Sequence, residues 1–207
     1  MRIKDRMTPH PITVPPETSI ADAFSTMRDH NISRLPVMQK GKLLGIVTKN
    51  GLQRVTPSDA TCLSVFELNY LLGKLTVKEA MTPDPVTIQE DDFLENAAVL
   101  MRQHKIGALP VMHGKFLVGI ITETDIFDAF IDMLGARFPG VRLTVRVPNR
   151  AGVGAELFSV IGSFGVNVQH VVLNNVGDTA EMVLRLDTQD AAAVKKALWE
   201  KGYGVDE

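Results

Sequence analysis

The chain has 207 residues, with 22 Lys and Arg against 24 Asp and Glu, a formal charge of −2 and 45% hydrophobic residues. Such a length suits one or two ordinary domains or three small packed ones, and the near-neutral balance offers no basic field for nucleic acid or an anionic membrane. The single cysteine, Cys62, excludes an intrachain disulfide framework and a cysteine metal cluster and fits a reducing cytoplasm, while the proline-rich stretch after Met1–Arg6 leaves no apolar run for a signal peptide or a membrane span.

The first segment, Met7-Thr8-Pro9-His10-Pro11-Ile12-Thr13, returns as Met81-Thr82-Pro83-Asp84-Pro85-Val86-Thr87, a shift of 74 positions from 7 to 81. Ala23, Met27, Arg28, His30 and Ile32 fall on Ala97, Met101, Arg102, His104 and Ile106 by the same shift, and Leu35-Pro36-Val37-Met38 on Leu109-Pro110-Val111-Met112. The offset slips only at the turn, where Gly41 matches Gly114, and recovers at Gly45 and Gly119. A period longer than the roughly 20 to 50 residues of solenoid repeats marks a duplicated small domain. Each copy reads as strand, helix, strand, strand, helix. In the second, Pro85 to Ile88 is a strand and Phe93, Leu94, Ala97, Ala98 and Met101 share a helix face. Ala108 to Met112 and Phe116 to Ile121 flank a turn at Gly114, and Ile126, Phe127 and Phe130 mark a closing helix. Two such units are expected to pack about a pseudo-twofold axis, leaving two equivalent clefts.

The repeats span 1–57 and 76–134, and the apolar stretch Ser64 to Leu72 predicts a helical connector over 58–75. The turn-rich joint Gly135 to Gly140 opens a third unit, 141–207. There Leu143, Val145 and Val147 alternate as a strand, and Leu157, Val160, Ile161 and Phe164 share a helix face ended by Gly165. Val166 to Leu173 and Ala180 to Asp187 are strands around a turn at 174–178, followed by a helix from Ala191 to Lys201 and a last strand from Tyr203 to Val205. The order β-α-β-β-α-β is ferredoxin-like. Its sheet has one face covered by its own helices, and the repeats leave Ile126, Phe127 and Phe130 to cover, so a homodimer is expected.

The paired repeats, with their Met-Thr-Pro openings, His30 to Val37, its partner His104 to Val111, and Gly119 to Asp125, resemble tandem CBS domains, which bind adenine nucleotides in regulatory proteins. The third unit resembles an ACT domain, a small-molecule sensor. Together with the connector Glu67 to Leu72, the arrangement is similar to the acetoin-utilisation accessory proteins. The fold class so implied is α+β, a CBS pair of βαββα repeats followed by a βαββαβ ACT unit.

Thr122 and Asp125 close a strand and open a helix, where free N–H groups attract phosphate and a carboxylate can accept ribose hydroxyls. The bland reading of Thr-x-x-Asp is a capping box. The resemblance implies ribose and phosphate binding at Thr122 and Asp125, an adenine pocket along Ile106, Ala108 and Pro110, and Ile88 flooring a cleft. Thr48 matches Thr122, but Gly51 stands where Asp125 would be, so the equivalent cleft lacks its ribose acceptor; Arg34, where the second copy has Ala108, is placed to reach a phosphate. An effector of the AMP, ADP or ATP class is expected, with no catalysis. No metal is expected, since His10, His113 and His170 lack ligand spacing and His30 and His104 sit at helix ends. In the third unit Asn149-Arg150-Ala151-Gly152 occupies the place of the ACT effector loop; Gly152 is kept, whereas Asn149 and Ala151 depart from the family's Asp and Pro. An amino-acid ligand is the expectation there, and the regulated target protein is not specified by any motif.

Overall fold

The computed structural model describes residues 1–56 and 74–206, so the expected connecting helix through Ser64 to Leu72 and the thiol of Cys62 lie outside the described residues. The chain divides into two compact units, Met1–Ile126 and Phe127–Glu207, each described by itself.

In the first unit, α1 (Ile20–Asp29) starts where the Ser19 hydroxyl accepts the Asp22 N–H at 3.0 Å. It buries Ile20, Ala23 and Met27, each removal from water worth about 1.5 to 3 kcal/mol for the larger side chains. The hairpin β2 (Arg34–Gln39) and β3 (Lys42–Thr48) turns at Gly41, whose φ of 77° favours glycine, and α2 (Lys49–Val55) follows. A short α3 (Val77–Ala80) precedes the second copy, which comprises α4 (Leu94–His104), β6 (Ala108–His113), β7 (Phe116–Thr122) and the start of α5 (Glu123–Met133), whose later turns belong to the second unit. Leu35, Val37, Leu109 and Val111 are buried, as the duplication requires. Even the irregularities repeat: the ladder shifts register between Val37 and Met38 and again between Val111 and Met112. Phe93 departs from its expected place on the helix. It is the N-cap of α4 and lies exposed beneath the Arg2 guanidinium, 4.2 Å from the ring centre.

The openings of the two copies are exchanged. β1 (Thr8–Pro9) pairs with β7 of the second copy, Thr8 opposite Ile120, while β4 (Thr82–Pro83) pairs with β3 of the first, Thr82 opposite Ile46. Upstream, Ile3 and Lys4 donate to the carbonyls of Asp92 and Glu90, both at 3.0 Å, and Val77 and Lys78 donate to Thr18 and Pro16 at 2.8 and 3.0 Å. The sheets run β1-β7-β6-β5, with β5 (Ile88–Gln89) parallel to β6, and β2-β3-β4. The two short opening strands β1 and β4, each ending on a proline, sit at sheet edges, where a missing N–H costs no ladder bond.

In the second unit, β8 (Val141–Pro148), α6 (Val153–Gly162), β9 (Val168–Val176), β10 (Thr179–Leu186), α7 (Ala192–Glu200) and β11 (Gly204–Asp206) give the ferredoxin-like order. The antiparallel sheet runs β11-β8-β10-β9. Leu143, Val145, Val147, Leu157, Ile161, Leu184, Leu186 and Leu198 form its core. β9 extends beyond its expected end because Val176 pairs with Thr179 around the two-residue turn at Gly177 and Asp178, drawing Asn174 and Asn175 into the ladder opposite Glu181 and Ala180. Phe164 lies past the end of α6 and is exposed rather than on its buried face.

Candidate functional site

Two clefts open in the first unit at the ends of β3 and β7. One, of about 280 Å³, is lined by Thr8, Ile12, Ile32, Ser33, Thr122 and Thr124 among others. The other, of about 320 Å³, is lined by Ile46, Thr48, Asn50, Val86, Ile106 and Ala108 among others. Both copies line each cleft: Ile12 and Ile32 of the first meet Ile120, Thr122 and Thr124 of the second in one, and Val86, Ile106 and Ala108 of the second meet Ile46 and Thr48 of the first in the other. This follows from the exchange of β1 and β4, which carries each opening segment across to the partner copy's strand.

The sequence-derived residues are thereby divided. Ile106, Ala108 and Thr48 share the second cleft, Thr122 lies in the first, and Arg34 lines both. Ile88, paired with Val111, and Pro110, paired with Ile120, are buried and line neither cleft. The expectation that Ile106 and Ala108 share a cavity with Thr122 and Asp125 is corrected: Ile12 and Ile32, from the opposite copy, lie in the cleft of Thr122, and Asp125 does not line it.

Asp125 makes the local bonds of a capping box. Its Oδ2 accepts from both the backbone N–H and the hydroxyl of Thr122 at 2.7 Å, and its own N–H reaches the Thr122 hydroxyl at 3.4 Å. In the first copy Thr48 alone makes the cap, accepting from the Gly51 N–H at 3.0 Å. At Gly51 a Cβ would stand 3.2 Å from both the Ala80 carbonyl oxygen and the Thr48 hydroxyl, so a side chain at this position would crowd its own helix start.

Four non-glycine residues in the left-handed region rim the clefts: His10 and Asn31 (φ 49° and 51°) at the first, Asp84 and Lys105 (φ 45° and 55°) at the second. Such backbone costs energy for residues with a Cβ and collects at functional sites. The 74-residue offset equates His10 with Asp84 and Asn31 with Lys105, a signal present in the sequence but not distinguishable there from ordinary turn residues. At the boundary of the clefts Arg34 Nη1 donates to the Ser33 hydroxyl at 3.1 Å. Its Nη2 lies 2.5 Å, and a Glu123 carboxylate oxygen 2.7 Å, from where a Gly107 Cβ would be.

In the second unit Gly152, φ 84°, is the N-cap of α6. Asn149 does not cap this helix: its side-chain amide donates to the Gly177 carbonyl at 3.4 Å, and its N–H to Asp178 at 2.9 Å. Ala151 is exposed beside it. Arg150 forks onto Glu156 at 2.9 and 2.7 Å, and the Tyr203 hydroxyl donates to the same carboxylate at 3.0 Å. The Arg150 and then the Tyr203 hydrogen bond hold the Glu156 carboxyl below its ordinary range, whereas burial, then Glu156, pushes the Tyr203 hydroxyl up. Among the described residues no cluster of His, Cys, Asp or Glu is placed to hold a metal, and no helix is long and apolar enough to cross a membrane.

Comparison with known proteins agrees with this geometry. The CBS domain model matches residues 3–56 and 77–132, and the ACT domain model matches residues 141–198. A putative acetoin utilization protein (AcuB) of Vibrio cholerae superposes with a TM-score of 0.55 at 30% identity, covering 66% of this chain and 95% of that one. CBSX2 in complex with AMP superposes with a TM-score of 0.54 at 29% identity, covering 63% and 97%. Inosine-5'-monophosphate dehydrogenase of Korarchaeum cryptofilum is 38% identical over 117 residues, which are 56% of this chain but only 21% of that enzyme. Matched over more than half its length by two CBS domains, the chain belongs to the CBS-domain family, as a tandem CBS pair followed by an ACT domain.

Proposed function

We propose that the chain is a regulatory sensor of the adenine nucleotide class (AMP, ADP or ATP) rather than an enzyme, binding its nucleotide in the cleft of Thr122, beside Asp125. The observation that carries the reading is the juxtaposition there of an apolar wall, Ile12 and Ile32, with Thr122 at a helix start, whose hydroxyl is bonded to the carboxylate of Asp125 just behind the lining of the cleft. An adenine fills the first and a ribose with its phosphate suits the second. The related CBS pair solved with AMP supports the ligand class, and the match to a dehydrogenase supports no catalysis, since it spans only a fifth of that enzyme. Calorimetric titration with AMP, ADP and ATP tests the reading. One nucleotide should bind per chain, and Asp125→Ala should weaken it by about 1.5 to 3 kcal/mol, the range of a charge-assisted hydrogen bond. Unchanged affinity in the variant would overturn the assignment, and failure of all three to bind would favour a ligand-free scaffold.

The ACT unit, in this reading, dimerises the chain through β9. That edge strand pairs with β10 alone among the described strands and exposes Val171, Leu173 and Val176, which a second copy would bury. The Asn149 to Gly152 loop is already tied to Gly177 and Glu156, which supports dimerisation more directly than capture of an amino acid. The sensor would act on a target protein by favouring one domain arrangement over another.

A further inference from the structure

Arg34 is the side chain that lines both clefts of the CBS pair among the described residues, and the two ends of its guanidinium are aimed differently. Nη1 bonds the hydroxyl of Ser33, which lines the cleft of Thr122. Nη2 lies over Gly107, which lines the cleft of Thr48. The duplication supplies no second copy of this arginine, because position 108 is a buried alanine. Gly107 makes the placement possible, since any Cβ there would meet Nη2 at 2.5 Å. The matching residue of the first copy, Ser33, instead supplies the hydroxyl that steadies Nη1.

We infer that Arg34 couples the clefts as a shared phosphate reader. Resting on the nucleotide assignment above, the inference is that this guanidinium serves a phosphate from either side but not from both at once, so that a phosphate-bearing ligand in one cleft excludes another such ligand from its neighbour. A guanidinium engages one phosphate bidentately through a planar fork, and turning it fully to one cleft takes both nitrogens from the other. The second phosphate would then face a spent cation and a nearby anion, with Glu123 close to the same notch. A ligand without phosphate meets no such conflict. Exclusion by a coupling of ordinary size weakens the second binding step roughly 5- to 150-fold.

Isoleucine methyl labels report the clefts separately, since Ile12 and Ile32 line the first and Ile46 and Ile106 the second. The full chain is titrated with adenosine and with AMP, following these methyl resonances. Adenosine should move both sets, the second at higher concentration because Gly51 offers no carboxylate. AMP should saturate the first set while leaving the second unmoved until at least about fivefold more ligand is present than adenosine requires. Arg34→Ala should abolish that difference between the ligands, and Arg34→Lys, which keeps a charge without the fork, should reduce it; the dispersion of the methyl spectrum checks that each variant is folded. AMP filling both clefts as readily as adenosine would overturn the inference while leaving the nucleotide reading intact, as would adenosine that never reaches Ile46 and Ile106, or a difference that survives Arg34→Ala. If neither ligand moves either set, the nucleotide reading falls and the coupling with it.

Discussion

Met81 lies so close against Gly45 that a Cβ on the glycine would stand 2.7 Å from the methionine sulfur, and Met7 fills the equivalent notch at Gly119. These contacts seat the exchanged openings, because Met7 and Met81 immediately precede β1 and β4. The notches differ in stiffness. At Gly45 a new Cβ would also meet the Thr82 carbonyl oxygen at 2.8 Å, whereas at Gly119 its three nearest neighbours all belong to the Met7 side chain, which can swing aside. Gly45→Ala is therefore expected to destabilise by about 1 to 3 kcal/mol, as overpacking does, and Gly119→Ala by less. Adding Met7→Ala to Gly119→Ala should remove the clash but forfeit the methionine's packing. Urea unfolding measures all three, and equal losses at the two glycines would contradict the asymmetry.

The tie of Arg150 to Glu156 should respond to acid. The Glu156 carboxyl is held below its ordinary value of 4.5, first by the Arg150 hydrogen bond. A lowered folded value contributes stability above the unfolded pKa that is lost as the pH falls from 4.5 through the folded value. Glu156→Gln removes the charge at every pH. The difference in melting temperature between wild type and this variant should thus be constant near neutrality and shrink as the pH drops below 4.5; a constant gap down to strong acid would show that the pair contributes nothing.

Arg185 fastens the segment that follows α5 to its own sheet. Its guanidinium donates to the carbonyls of Gly135 and Gly140, each at 3.1 Å, and of Ala136 at 3.5 Å, while Phe138 packs on His170 with ring centres 4.9 Å apart. Arg185→Ala should cost about 1.5 to 3 kcal/mol, the value of hydrogen bonds to a charged group. Amide exchange should accelerate at Ala136 and Phe138 with little change along the centre of β10. Unchanged protection at 135–140 would mean that the Phe138 contact alone holds the segment.

Leu173, more than half exposed on β9, tests the dimer. Light scattering of the wild type at micromolar concentration should give twice 22.7 kDa. Leu173→Lys, which places a charge on the edge strand, should shift the mass toward the monomer without altering nucleotide affinity. A wild-type mass of 22.7 kDa would set dimerisation aside.

The sequence alone determined what is local. The offset of 74 placed the core pairs Ala23 and Ala97, Met27 and Met101, Leu35 and Leu109 in buried positions, and period-2 alternation identified Leu143, Val145 and Val147. Such patterns are legible because burial on one face imposes a period of 3.6 or 2 on the chain itself. Tertiary structure decided which copy each opening joins. β1 and β4 are two residues long, too short to show any period, and their partners lie far along the chain. That pairing in turn set the membership of both clefts, sending Ile12 and Ile32 to Thr122 and leaving Ile106 and Ala108 with Thr48. The same reason hid the double role of Arg34: its charge is written in the sequence, but the two directions in which its nitrogens point exist only once Ser33 and Gly107 have been brought to either side of it.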